Sequence, residues 1–398
     1  MNLIYITNIL PFIANSGGTI VSKKVLEGLI ENGHRIHLFF LDISDGTESM
    51  YYEEKYNGIL ESYNFVHNGN NVRSIKNFLK SVIKGVPLNV YRNSCNELKN
   101  KIRKLLETEQ IDVIYCDHLE MIQYVPAAYF SKVLLFEHNI EYMIWRRYSR
   151  QLKNLFVKAG VYLESRRMET YEKRMCQSVK SVCGSPNDIE YLARIANRNV
   201  NEFVKVHLCG EDALLDLPIV QKRDKFTILF VATMTWQSNI DGINWFVKKV
   251  FPRISYHYPD VQLNIVGKLP QNHETILARD RNVNYLGFVE SLESLYEEAT
   301  VFICPLLYGS GTKIKVVNAL YRGIPVVMTN IGAENIDVQN EKNAFVTDDA
   351  DMFAEYILKL WEDDFCWKNI SINGRKLAKK DFIWEKEINK IEKKMETF

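Results

Sequence analysis

Residues 305–336 read PLLYGSGTKIKVVNALYRGIPVVMTNIGAENI. The apolar run Ala299–Cys304 precedes this stretch and reads as a buried strand. Lys313–Arg322 has helical spacing, with Ile314, Val317 and Tyr321 on one face and Lys315, Asn318 and Arg322 on the other. Pro325–Met328 is a second strand. A glycine-bearing loop, Gly309-Ser310-Gly311, therefore joins a strand to a helix N-terminus. Glycines let a backbone approach a ligand closely, and the first turn of a helix offers unpaired N–H groups to an anion. Thr312 is the expected N-cap. Lys313 and Lys315 stand where a cation opposes the helix dipole, by roughly 0.3–1 kcal/mol each. A bound diphosphate would reverse that penalty, and two solvated lysines would only screen it. The segment alone leaves both readings open.

The same alternation extends outward. Phe226–Ala232, Val261–Val266 and Val283–Leu286 read as strands, the last two ending at Gly267 and Gly287. Asn239–Val250 is helical, and two helices close the chain, near Asp351–Trp361 and Asp381–Met395. Toward the N-terminus, Asn2–Thr7 is a strand, Ser16-Gly17-Gly18-Thr19 a loop, and Ile20–Ile30 a helix ended by Gly33. His34–Leu41, Asp112–Cys116, Lys132–Phe136 and Ser178–Cys183 are further strands, and Glu141–Gln177 is one long helical stretch. The polar, proline-containing segment around Cys209–Asp224 marks a boundary. The expectation is an α/β chain with two Rossmann-like domains. Residues 1–213 form the first, with 381–398 packing back onto it, and 214–380 form the second. Parallel sheets of this kind bind ligands at the carboxyl ends of their strands, which places the expected site in a cleft where the two domains face each other.

Bulk properties exclude several classes. A chain of 398 residues exceeds a single core, and 46% hydrophobic with 25% charged residues is ordinary for a globular protein. A net charge of +1 gives no global field for nucleic acid. Seven widely spaced cysteines with no CxxC pair fit neither a disulfide framework nor a zinc site. The first residues, MNLIYITNIL, read as a strand rather than a signal peptide. These features predict a cytoplasmic protein, at most peripheral at the inner face of the membrane.

Residues 305–336 resemble the donor-binding signature of family 4 retaining glycosyltransferases, which have the GT-B fold: a glycine segment, a helix, then G-x-PVV-x-T. The likeness continues in Phe230–Asn239, at Ile265-Val266-Gly267 and Gly287-Phe288-Val289, and in Phe382-Ile383-Trp384-Glu385, which leads into a helix that in GT-B proteins crosses back to the first domain. In the first half it is looser, at Gly17-Gly18, His138–Glu141 and Gly184-Ser185. The resemblance implies that Thr312 and Lys313 hold a donor diphosphate, with Gly309, Ser310 and Gly311 as the loop around it. Phe288 and Val289 would meet the base, and Thr233, Thr235 and Gly267 would line the donor loop ends. Gly17 and Gly18 would let the first domain approach sugar and phosphates, and His138 would face the transferred sugar. His138 and Lys313 are the candidate catalytic residues. Asn318 stands where the family carries a ribose-binding glutamate, Ser310 where it often carries a second, and the usual Arg and Lys of the first donor loop are absent near Thr233 and Asn239.

Asp117, His118 and Asn139 are candidates for the acceptor side, with loop formation and helix capping as the plainer readings. Asp349-Ala350-Asp351 is formally a DxD, but its place before a helix reads as capping, so no metal site is expected. Residues 141–177 carry nine Lys/Arg against four Glu, together with Trp145, Tyr148 and Phe156. That stretch either rests on a membrane surface or a lipid-linked acceptor, or covers the first domain. The expected function is metal-independent transfer, with retention, from a nucleoside-diphosphate sugar to a glycan, lipid-linked or protein acceptor. The donor is a substrate rather than a cofactor, a UDP-sugar ahead of a GDP-sugar. The alternatives are a catalytically weak partner subunit and a same-fold sugar-nucleotide epimerase.

Overall fold

The computed structural model describes residues 1–398 except 13–15, 43–46, 69–73 and 269–280. The chain divides into two compact units, Met1–Leu208 with Trp384–Phe398, and Cys209–Ile383. The division thus falls at 208/209 rather than 213/214.

The first unit is built on a seven-stranded sheet with every pairing parallel. Its strands are β1 (Asn2–Thr7), β2 (Arg35–Asp42), β3 (Ser62–His67), β4 (Val113–Asp117), β5 (Val133–Glu137), β6 (Ser181–Gly184) and β7 (Val204–Lys205), in spatial order β3-β2-β1-β4-β5-β6-β7. Every residue of β4 and β5 is buried, as uninterrupted apolar runs in a sheet covered on both faces should be. The helices are α1 (Gly17–Glu31), α2 (Thr47–Lys55), α3 (Ile75–Ile83), α4 (Leu88–Arg92), α5 (Asn96–Thr108), α6 (Glu141–Gln151), α7 (Leu155–Ser178) and α8 (Pro186–Ala196).

The expected single helix over 141–177 is a pair, α6 and α7. The chain is extended at Leu152, and the Asn154 side chain accepts from the Phe156 and Val157 amides to start α7. That cap satisfies two first-turn donors, which makes a fresh start cheaper than continuation. The helix pair then folds back on itself, with Arg146 of α6 bonded to Glu169 of α7 at 2.7 Å.

The second unit carries a six-stranded, wholly parallel sheet in the order β10-β9-β8-β11-β12-β13. Its elements are β8 (Thr227–Val231), α9 (Gln237–Trp245), α10 (Phe251–His257), β9 (Gln262–Val266), β10 (Val283–Gly287), α11 (Glu293–Glu298), β11 (Val301–Cys304), α12 (Ile314–Arg322), β12 (Val326–Met328), β13 (Phe345–Val346), α13 (Ala350–Glu362) and α14 (Asp364–Asp381). Both sheets reverse direction beside their first strand, the doubly wound order that opens a crevice at the carboxyl strand ends.

Two expectations for this unit change. The helix α12 is buried on both faces, Lys315 alone being partly open, because Arg322 reaches Pro218 O at 2.9 Å and Glu293 at 2.8 Å. The helix α14 was not expected at all. Gly374 sits in its middle because a Cβ there would lie 2.9 Å from Leu320 of α12 and 3.0 Å from Asn343 O. A packing glycine therefore interrupts the apolar period that would mark a helix. After α14 the chain returns to the first unit as α15 (Trp384–Met395), whose Ile388 occupies the space a side chain at Gly28 of α1 would need. The Glu387 carboxylate accepts from His207 N–H at 2.9 Å.

Candidate functional site

At the carboxyl end of the first sheet, Asp117 closes β4 and His138 follows β5 directly. Both are buried, at 0% and 6% exposure. His138 Nε2 lies 2.6 Å from Asp117 Oδ1. The other carboxylate oxygen accepts from Thr7 Oγ1 at 2.8 Å and Ser22 Oγ at 2.6 Å. His118 stacks on His138 with ring centroids 3.9 Å apart, and its Nδ1 is 3.4 Å from the same carboxylate. Burial works against ionising Asp117, but the two imidazoles outweigh it and hold the carboxyl well below its usual range. The His118 imidazole is opposed by burial yet pushed up to about 9 by Asp117. His138 is lowered by burial and then by His118. Asp117 thus favours the charged form of His118, while burial and His118 favour neutral His138.

His118 adopts φ 84°, a strained region for a residue with a side chain. At this position its ring stacks on that of His138. Asp117, His118 and His138 also bring three potential metal ligands within 4.8 Å of one another, a grouping absent from the sequence reading. Asp117's oxygens are, however, already bonded to two hydroxyls and an imidazole. The capping role open to Asn139 falls elsewhere: Ile140 occupies the N-cap of α6, and the Glu172 carboxylate from α7 accepts the Glu141 and Tyr142 amides at 2.8 and 3.1 Å. Gly17 is the first residue of α1, which Ser16 and Thr19 cap reciprocally. A Cβ on Gly18 would meet nothing within 4 Å, so the fold itself does not require glycine there.

At the carboxyl end of the second sheet the materials differ. Gly267 has φ 136°, and a Cβ there would sit 1.8 Å from Ala232 O. Its N–H donates to Gly287 O at 2.8 Å, tying the ends of β8, β9 and β10 side by side. Thr233, Thr235, Gly267, Phe288 and Val289 therefore share one sheet edge, where Thr235 and Phe288 are exposed. The loop before α12 turns through Gly309 (φ 149°) and Gly311 (φ 75°), conformations that disfavour a side chain. The helix starts one residue later than expected. Lys313, not Thr312, holds the N-cap position, and no side chain caps it. The Lys313 ammonium is bonded back to Gly311 O and to Ser310 O at 3.3 Å, with Glu334 at 3.7 Å.

Lys315, not among the expected donor residues, belongs to this edge. Its Nζ is 2.8 Å from Asn239 Oδ1 and 4.8 Å from the centre of the Phe230 ring. Among the described residues no carboxylate reaches it. Burial, with Lys313 adding repulsion, holds its ammonium below the usual lysine range. Asn239 Nδ2 in turn donates to Thr233 O at 2.8 Å. The position lacking a loop cation thus receives one from α12. The signal was available in the opposition of Lys315 to the helix dipole. Asn318 is buried, its Oδ1 accepts from Glu211 N–H at 2.9 Å, and its amide meets the Tyr296 hydroxyl. Asp349 caps α13 by accepting from the Asp351 and Met352 amides, both at 2.9 Å.

Residues 225–363, the greater part of the second unit, match the family model for glycosyl transferases group 1. The second unit therefore carries a glycosyl transferases group 1 match, and the chain has the GT-B fold. It is 21% identical over 413 aligned positions, covering 98% of each chain, to an uncharacterized 44.6 kDa protein in the cps region of Klebsiella pneumoniae. It is 28% identical over 182 positions, 42% of this chain and 46% of the relative, to the O-antigen chain mannosyltransferase B of Escherichia coli. The solved structure of Anabaena HepE in complex with UDP-glucose superposes with a TM-score of 0.67 at 12% identity, covering 100% of both chains. No helix among the described residues is long and apolar enough to cross a membrane.

Proposed function

We propose that this glycosyltransferase uses a nucleoside-diphosphate sugar, a UDP-sugar ahead of a GDP-sugar, and needs no metal. The acceptor is a glycan or lipid-linked saccharide of a surface polysaccharide, and the anomeric configuration is retained. The observation that carries the donor reading is the pair Lys313 and Lys315, two ammonium groups two residues apart at the start of α12, of which Lys315, among the described residues, meets an amide oxygen and a ring face and no carboxylate. Such a pair is costly unless an anion joins it. The Gly309–Gly311 loop and the uncapped N-terminus of α12 supply N–H groups beside it. A departing diphosphate gains negative charge as the glycosidic bond breaks, and fixed cations with a helix dipole favour that charge over the neutral ground state. The base is assigned to the edge at Phe288 and Val289. His138, held in one orientation by Asp117, is assigned to the hydroxyls of the reacting sugar.

The UDP-glucose complex of the Anabaena protein supports a uridine donor, and the O-antigen and cps relatives support a polysaccharide acceptor. Asn318's carboxamide is spent on Glu211 and Tyr296, so the donor ribose is not assigned to it. Thermal unfolding with UDP, GDP, ADP and dTDP, each with EDTA or magnesium, tests this reading. A ligand of the folded state raises stability by RT ln(1 + [L]/Kd). UDP is expected to raise Tm with EDTA present in the wild type and not in Lys313→Ala. A response to magnesium–UDP alone would overturn metal independence and return attention to Asp117, His118 and His138. No nucleotide response would overturn the donor site.

A further inference from the structure

The geometry points to a binding site for a borderline-soft divalent cation, zinc above all, held by Asp117, His118 and His138 of the first unit. Neighbouring parallel strands create it: Asp117 of β4 pairs in register with Phe136 of β5, so the residues that follow each strand end side by side. One ligand atom from each of the three side chains can be chosen so that no two lie more than 4.8 Å apart. Tetrahedral zinc, with bonds of about 2.0–2.2 Å, holds its ligand atoms about 3.3 Å from one another. Asp117 Oδ1 and His138 Nε2, now 2.6 Å apart, must separate by about 0.7 Å, which a modest rotation of the imidazole supplies. The proton that joins them leaves to the buffer as the ion enters. A second observation comes from His118. Its Nδ1 is buried and lacks a hydrogen-bond partner. Such a nitrogen is costly to bury, and coordination satisfies it.

The donor set decides the ion. Two imidazole nitrogens and one carboxylate oxygen suit zinc, whereas magnesium and calcium take shells of oxygen. The hydroxyls of Thr7 and Ser22 donate to Asp117 Oδ2 at 2.8 and 2.6 Å, which fixes the carboxylate and leaves Oδ1 turned to the imidazoles. Outer partners of this kind orient a metal-binding carboxylate. Three protein ligands leave a fourth tetrahedral position for water. The ion acts against turnover rather than for it, because an imidazole bound to zinc is withdrawn from the reacting sugar. That consequence rests on His138 facing the sugar, whereas binding rests on the three side chains alone.

Titration of the full, metal-stripped chain with zinc against a chromogenic chelator tests it, alongside melting with zinc or magnesium. Wild type is expected to take up one zinc per chain, and zinc but not magnesium should raise Tm. His118→Gln removes a ligand and should weaken zinc by at least the roughly 10–100-fold that loss of an outer partner costs, and Ser22→Ala by about tenfold. Cooperative melting of each variant in EDTA records that it folds. Zinc should also lower turnover in the wild type, and EDTA should restore it. Zinc bound with turnover intact would confirm the site and overturn the assignment of His138 to the sugar. Failure of the wild type to compete for zinc would overturn the proposal. So would equal uptake by wild type and His118→Gln, which would place the ion elsewhere, at Cys95 or Cys366, the cysteines that are not fully buried.

Discussion

The carboxyl ends of the two sheets share a topology and differ in electrostatics. In the first unit, Asp117 is fully engaged by Thr7, Ser22 and His138, and His118 stacks above, so charge is balanced within the cluster. In the second unit, Lys313 leans on loop carbonyls and Glu334, while Lys315 meets one amide oxygen and a ring. One end is electrostatically closed and serves to orient an imidazole. The other places two ammonium groups against neutral oxygens, a ring and one carboxylate 3.7 Å away, which supports the proposed anion site. A shared scaffold fixes where ligands sit, and a handful of side chains then decides which half supplies orientation and which supplies charge.

The largest expected effect breaks the open end. Lys313→Ala should lower kcat/KM by about 10²–10³-fold, the scale of losing one preorganised transition-state contact. Steady-state nucleotide release measures it, and a loss under threefold would erase the contrast. Next comes the closed end. Asp117→Asn removes the charge beneath two imidazoles and should destabilise the fold by roughly 3 kcal/mol in chemical denaturation. Unchanged stability would mean that the cluster is not internally balanced.

The third prediction uses pH. His118 has a folded pKa raised from 6.5 to about 9. Its stabilisation is fully present below 6.5 and disappears as pH rises through about 9. His138, lowered in the fold, acts in the opposite sense near neutrality. Melting curves from pH 7 to 10 should show a decline of order 1–2 kcal/mol that His118→Gln flattens. A decline that persists in His118→Gln would assign the titration to another group. The smallest effect concerns the DxD at Asp349. As a helix cap it should cost about 1 kcal/mol of stability when changed to alanine, with kcat untouched. A loss of activity without loss of stability would make it part of the open end.

Much of this was legible from residue patterns because strands buried on both faces are apolar runs, and glycine loops punctuate them. Val301–Cys304, the Gly309–Gly311 loop and α12 could be read because each signal lies within one stretch of chain. The helix pair α6 and α7 was read as one, since Asn154 is an ordinary polar residue until its side chain is seen to cap. The helix α14 escaped notice because Gly374 answers to Leu320 and Asn343, not to its own helix.

What the sequence determined by itself was the class of fold, the alternation of its main strands and helices, and the glycine loop that leads into α12. Local propensity and hydrophobic period carry those signals. Only the tertiary structure decided that Thr7 and Ser22 hold Asp117 from 110 and 95 residues away, that Asn318 is spent on Glu211, and that Lys315 fills the place beside Asn239. Hydrogen bonds across such separations depend on which strands become neighbours, and a single side chain carries no record of its distant partner.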